Sequence, residues 1–166
     1  AINIVHNNGK VVFDLIFKEQ SYPFSMNVPG EYNIFNALAA ISVCKTMGLS
    51  LEDISRSLKM FSGVKRRFDI KIQNNDLMII DDYAHHPVEV SSVIKAIKSN
   101  WGRRLLVIFQ PHLYSRTKQF YKEFAEALQD ADLVFVTEIF ASREKIDASI
   151  TSEKIGKYLK ELHHNN

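Results

Sequence analysis

The chain has 166 residues, 46% hydrophobic and 24% charged, which is enough apolar material for a sizeable core and excludes a disordered polar chain. Its net charge of +2 comes from interspersed charges of both signs, with Lys65-Arg66-Arg67 as the one basic block, so composition argues against nucleic acid as a partner. The single cysteine rules out an internal disulfide framework, and neither a signal peptide nor an apolar run of about 18 residues is present, which predicts no membrane partner and a cytoplasmic setting.

In chain order, Ala1 to Val28 alternates apolar and polar residues in short strands. Asn7-Asn8-Gly9 marks a hairpin turn between Ile2–Val5 and Val11–Phe17, which predicts an antiparallel sheet edge. Residues 31–47 follow with helical spacing and stop at Gly48, and Cys44 falls among apolar neighbours as a small core residue. Ser50 then caps a second helix running to Met60, with Asp53 in its first turn.

After Gly63 the pattern changes. It predicts strands at 67–73 and 77–82, a helix at 87–99, a strand at 104–109, a helix at 115–129, a strand at 132–137 and a helix at 151–162. That alternation predicts an α/β fold with a parallel, doubly wound sheet. Glu161 to Asn166 is predicted to fray.

The chemistry concentrates at two predicted strand ends. Leu77-Met78-Ile79-Ile80 reads as a buried core strand of a parallel sheet, and it runs into Asp81-Asp82-Tyr83-Ala84-His85-His86-Pro87. Leu105 to Phe109 is a second buried run, and it empties into Gln110-Pro111-His112-Leu113-Tyr114-Ser115-Arg116-Thr117. Ligands of open α/β sheets bind beyond the carboxyl ends of strands, so these loops are the predicted site. The bland alternative makes Asp81 and Asp82 helix caps and the histidines solvated loop residues. A chemical alternative makes Asp81, Asp82, His85, His86 and His112 metal ligands of a phosphohydrolase, although few further acids stand at the other strand ends. A pure binding or scaffold role is a third.

Four segments, in order, carry a family resemblance: Gly30-Glu31-Tyr32-Asn33-Ile34-Phe35-Asn36-Ala37-Leu38-Ala39-Ala40, then Gly63 to Phe68, then Asp81 to Pro87, then Phe109 to Thr117. Together they resemble the Mur ligases, and within them the branch that joins L-alanine to UDP-N-acetylmuramate. The resemblance implies that residues 1–62 are the end of a central ATP-binding domain and that 63–166 begin a Rossmann-like, mostly parallel C-terminal domain. It also implies that this is a piece of a longer enzyme, because the family's phosphate-binding loop and magnesium ligands have no counterpart here. By itself the piece is expected to be inactive, and no metal ligand is assigned within it.

The implied reaction is ATP- and Mg²⁺-dependent amide-bond formation through an acyl phosphate. Arg67 matches the family arginine that reaches the ATP phosphates, and Asp82 the acid that accepts from the ribose. Asn33 and Asn36 match asparagines near adenine, with helix capping as the other reading of Asn33, and Tyr32 stands where many relatives have His, so an imidazole hydrogen bond is replaced by an aromatic face. Tyr83, His85, His112 and Arg116 match positions facing the muramoyl-alanine part of the substrate, with His85 also a candidate to take the amine proton. His86 is read as structural and Asp81 as a cap or supporting group. Many relatives carry an arginine where this chain has Leu113. The alternative within the family is the ligase that attaches a ready-made tripeptide to the same substrate. A hinge is expected near Phe61–Val64, the segment Glu138 to Lys145 resembles the family without an assigned role, and oligomeric state is left open.

Overall fold

A computed structural model describes residues 1–7 and 9–162, so Asn8 and the predicted fraying at 163–166 lie outside the described residues. The chain forms two compact units, one of Ala1–Tyr83 with Ser99–Trp101, the other of Ala84–Lys98 with the chain from Gly102 onward.

The first unit opens with an antiparallel meander of β1 (Ile2–Asn7), β2 (Lys10–Phe17) and β3 (Gln20–Met26). The predicted turn joins β1 to β2, with Asn7 opposite Lys10 and Gly9 at φ 81°, a conformation that favours glycine. On one face of the sheet, Val11, Phe13, Phe24 and Met26 are fully or almost fully buried against Ile34, Ala37 and Ile41 of α1 (Glu31–Thr46) and Leu51 and Ile54 of α2 (Leu51–Met60). Phe13 and Phe24 are cross-strand partners with ring centroids 5.7 Å apart. Each such buried phenylalanine contributes about 2–3 kcal/mol through the apolar area it removes from water. Cys44 packs partly buried at the edge of this core. Gly48, at φ 93°, follows Met47, the C-cap of α1, and the Ser50 hydroxyl accepts from Asp53 N at 3.1 Å to start α2.

The same unit contains a hairpin of β4 (Asp69–Gln73) and β5 (Met78–Asp81). This corrects the expected parallel core strand: β5 pairs antiparallel with β4, Ile79 is 42% exposed and Leu77 50%. A short apolar run does not by itself distinguish a parallel core strand from half of a hairpin. β4 also starts later than expected, because Arg66 (φ 59°) and Phe68 (φ 47°) occupy left-handed conformations that interrupt an extended backbone.

In the second unit, β6 (Leu106–Phe109), α4 (Tyr114–Leu128) and β7 (Leu133–Val136) form a parallel β-α-β element with Leu106 opposite Leu133 and Phe109 opposite Val136. α4 carries a break at Phe120. α3 (Pro87–Asn100), through Val90 and Ile94, and α5 (Glu153–Glu161), through Ile155 and Leu159, complete a core around Phe109, Phe124 and Leu128. The strand period of two sends Leu105, Val107 and Phe109 inward, while Leu106 and Ile108 are 50% and 71% exposed. The expectation of a buried run therefore holds for one face. The fold is the mixed α/β class that the alternation predicts, with β6 and β7 as its parallel pair.

Candidate functional site

The predicted residues gather in two clusters, one in each unit. In the first unit the segment Val64–Phe68 makes a tight turn closed by hydrogen bonds from Arg67 N to Val64 O (3.0 Å) and from Tyr83 N to Arg66 O (2.8 Å). Two carboxylates pin it: Asp82 accepts from Phe68 N at 2.7 Å, and Asp69 from Arg66 N at 3.2 Å. The strained backbone at Arg66 and Phe68 is thus held in place by its neighbours, as such conformations require. The Arg66 and Arg67 guanidiniums lie 4.6 Å and 5.8 Å from the centroid of the Tyr83 ring.

Tyr32 belongs to this cluster. Gly30 precedes α1 at φ 97°, and a Cβ there would lie 2.5 Å from the Tyr32 ring, so the absence of a side chain at Gly30 lets the ring fold over the backbone. Burial pushes the Tyr32 hydroxyl up to about 12, with the Asp82 charge adding to the effect and Arg67 and the Asn33 hydrogen bond opposing it. Tyr32 is therefore a neutral phenol at physiological pH, within electrostatic reach of both Arg67 and Asp82. Asn33 does not cap α1: its amide donates to Pro29 O at 2.7 Å, and Asn36 donates to the Asn33 side-chain oxygen at 3.2 Å. Arg67, Asp82, an aromatic ring and an amide edge thus share one neighbourhood, a set able to meet phosphate, ribose and base.

The second cluster stands at the starts of α3 and α4. Arg116 donates from Nη1 to His85 O at 3.4 Å and to His112 Nδ1 at 3.5 Å. Because a guanidinium only donates, this contact is a hydrogen bond in the tautomer that carries its proton on His112 Nε2. Burial pushes the His112 imidazole below its ordinary 6.5, the charges of Arg116 and His85 lower it further, and Glu144 opposes them. The His85 and His112 rings meet edge-on at 5.9 Å. Glu89 Oε2 accepts from His85 N (2.9 Å) and His86 N (3.2 Å) and stands 3.4 Å from His85 Nδ1. His86 packs edge-on against Phe120 at 5.1 Å.

Asp82 accepts from Phe68 N, away from the helix start where the bland alternative puts it. Glu89 takes the amides there, and Asp81 ends β5 opposite Asp69. The metal-ligand alternative also fits poorly. His112 Nδ1 faces a guanidinium, and among the described residues no three His, Cys, Asp or Glu side chains gather as a metal-holding group. Tyr83 stands with the arginines of the first cluster.

Sequence reasoning did not single out Glu89, Arg66 or Glu144. Glu89 had a signal, since an acid at the third helical position, counted from Pro87 as the first, is the place for a reciprocal cap. Glu144 had none nearby, because its partner Ser115 lies 29 residues away.

The model of the "Mur ligase, glutamate ligase domain" family matches residues 66–165. The chain belongs to the Mur ligase family. Its similarity extends beyond the match: a UDP-N-acetylmuramate–L-alanine ligase of Geotalea daltonii is 40% identical over 161 residues, 96% of this chain and 35% of that protein. The crystal structure of a UDP-N-acetylmuramate-alanine ligase from Thermotoga maritima superimposes with a TM-score of 0.80 at 31% identity, covering 96% of this Mur ligase chain and 34% of that one. A murein peptide ligase from Psychrobacter arcticus gives 0.51 at 28% identity over 78% of this chain and 28% of that one. The chain thus spans about a third of the length of the relatives it matches.

Proposed function

We propose that this Mur ligase chain is part of an enzyme that joins L-alanine to UDP-N-acetylmuramate at the expense of ATP in peptidoglycan synthesis. The observation that carries the reading is the second cluster, a guanidinium beside two imidazoles at adjoining helix starts. Such a fork suits a carboxylate, the reactive group of the muramoyl substrate and the fixed group of alanine alike. The higher similarity to the alanine ligases than to the murein peptide ligase favours the amino acid over the ready-made tripeptide.

In this reading a muramoyl carboxylate oxygen attacks the γ-phosphorus and ADP leaves. The alanine amine then attacks the acyl carbon, phosphate departs, and the amine loses a proton. Arg67 offsets the repulsion between carboxylate and triphosphate, Asp82 accepts from a ribose hydroxyl, Tyr32 presents its ring to adenine, and Asn33 and Asn36 shape the adenine edge. His112, Arg116 and His85 hold the muramoyl-alanine side, and a neutral imidazole there can take the amine proton. Tyr83 braces the arginine turn and reaches the substrate from it. Mg²⁺, held by other parts of the full-length protein, would screen the phosphate charge. We place the end of the central domain at residue 62, shortly before the family match begins at residue 66, and the enzyme in the cytoplasm; no described helix is long and apolar enough to cross a membrane.

The test is phosphate release by the full-length protein with ATP, Mg²⁺ and UDP-N-acetylmuramate. Release that depends on L-alanine is expected. Dependence on the tripeptide would move the chain to the recycling branch, and metal-dependent release without either acceptor would favour a phosphohydrolase.

A further inference from the structure

α4 starts without a cap of its own. Its N-cap residue is Leu113, at φ 74°, whose side chain makes no cap hydrogen bond. The acceptor comes from the loop after β7 instead. Glu144 Oε2 accepts from Ser115 N at 3.0 Å, and Glu144 Oε1 accepts from the Ser115 hydroxyl. The same loop is tied to the strand end that bears His112: Leu113 N donates to Phe140 O at 2.9 Å, Phe140 N donates to Pro111 O at 2.8 Å, and the His112 and Phe140 rings lie 5.5 Å apart.

Ser115 sits between His112 and Arg116 in the chain, so the carboxylate grips the backbone in the short stretch between these two side chains. From these contacts we infer that Glu144 is a positioning residue of the second cluster, fixing the start of α4 so that His112 and Arg116 keep the mutual geometry seen at 3.5 Å. The inference rests on the ligase reading for its kinetic consequence and on the geometry alone for its structural one. α4 keeps other anchors when Glu144 is lost, namely the fully buried Phe124 and Leu128 and the Lys118 to Asp147 pair at 3.3 Å. Removing Glu144 therefore loosens the helix start without unfolding the helix.

The test uses the full-length enzyme and the variants E144A and E144Q. Glutamine keeps an acceptor for Ser115 N and can donate to the Ser115 hydroxyl, so it should restore what alanine loses. E144A is expected to raise KM for UDP-N-acetylmuramate or L-alanine about tenfold, since small misplacements of binding groups are costly, with KM for ATP within about twofold of wild type. E144Q should return these values close to wild type. Hydrogen exchange of the Ser115 amide, read on the same proteins, should speed up in E144A and recover in E144Q. Unchanged substrate KM in E144A, or equal loss in both variants with ATP affected alike, overturns the inference. So does an unchanged Ser115 exchange rate, even in an enzyme whose wild type shows no L-alanine dependence, a result that would count against the ligase reading alone.

Discussion

At the arginine turn the backbone itself is bent, with Arg66 and Phe68 in left-handed conformations and Asp82 and Asp69 accepting from the amides that the bend exposes. At the histidine–arginine cluster, helix starts carry the side chains; Glu89 of the first turn of α3 accepts from the two amides just before that helix, and Glu144 from a distant loop accepts from a first-turn amide of α4. The first arrangement is held by strain and local clamps, so a change there should act on the backbone and the charge together. The second is held by caps at a distance, so it should yield gradually.

The largest contrast should come from exchanging charge for nothing in each region. Arg67→Ala in the full-length enzyme should lower turnover about 100-fold and weaken ATP use, the scale seen when one preorganised charge donor is removed. Arg116→Ala should act on the other substrates, raising KM for UDP-N-acetylmuramate or L-alanine about 30-fold, the size of one charged hydrogen-bond contact, with ATP little affected. Steady-state kinetics with each substrate varied in turn checks both, and equal effects on all substrates in both variants would erase the distinction between the regions.

Asp82→Ala sharpens the backbone side of the comparison. It leaves the Phe68 amide without its 2.7 Å acceptor beside a strained turn, and should cost about 1–3 kcal/mol by urea denaturation besides weakening ATP use. Glu89→Ala, which removes an acceptor from a regular helix start, should cost about 1 kcal/mol or less. A larger loss at Glu89 than at Asp82 would invert the picture.

The smallest expected effect is in pH. His112 is held below its ordinary 6.5, so the unfolded chain binds its proton more readily than the folded one. Its contribution to stability is therefore complete above about pH 6.5 and shrinks as pH falls toward the folded value. A melting curve taken at intervals from neutral to mildly acid pH should fall less steeply in His112→Gln than in wild type. Parallel slopes would mean that the titration of His112 is not coupled to folding.

Much of this organisation was legible in the residues. Asn7-Asn8-Gly9 announced its hairpin, and Ser50 and Gly48 their helix ends. What escaped was set by partners far away in the chain or by backbone conformations that side-chain patterning does not encode. Leu77 to Ile80 has the composition of a core strand, yet its pairing with β4 depends on the turn at Asn74–Leu77. Arg66 and Phe68 belong to residue types that rarely adopt positive φ, so the late start of β4 had no cue. Asn33, where capping was one expectation, turns back to Pro29 because Gly30 already occupies the N-cap.

Trp101, the chain's one tryptophan, is 7% exposed and stacks with centroids 5.8 Å apart on Phe68, the residue after Arg67 and the one whose amide Asp82 clamps. The arginine turn therefore comes with its own optical label. Any nucleotide that shifts Phe68 changes the surroundings of a single indole, and its emission can be followed in unmodified protein without a chromophore being added.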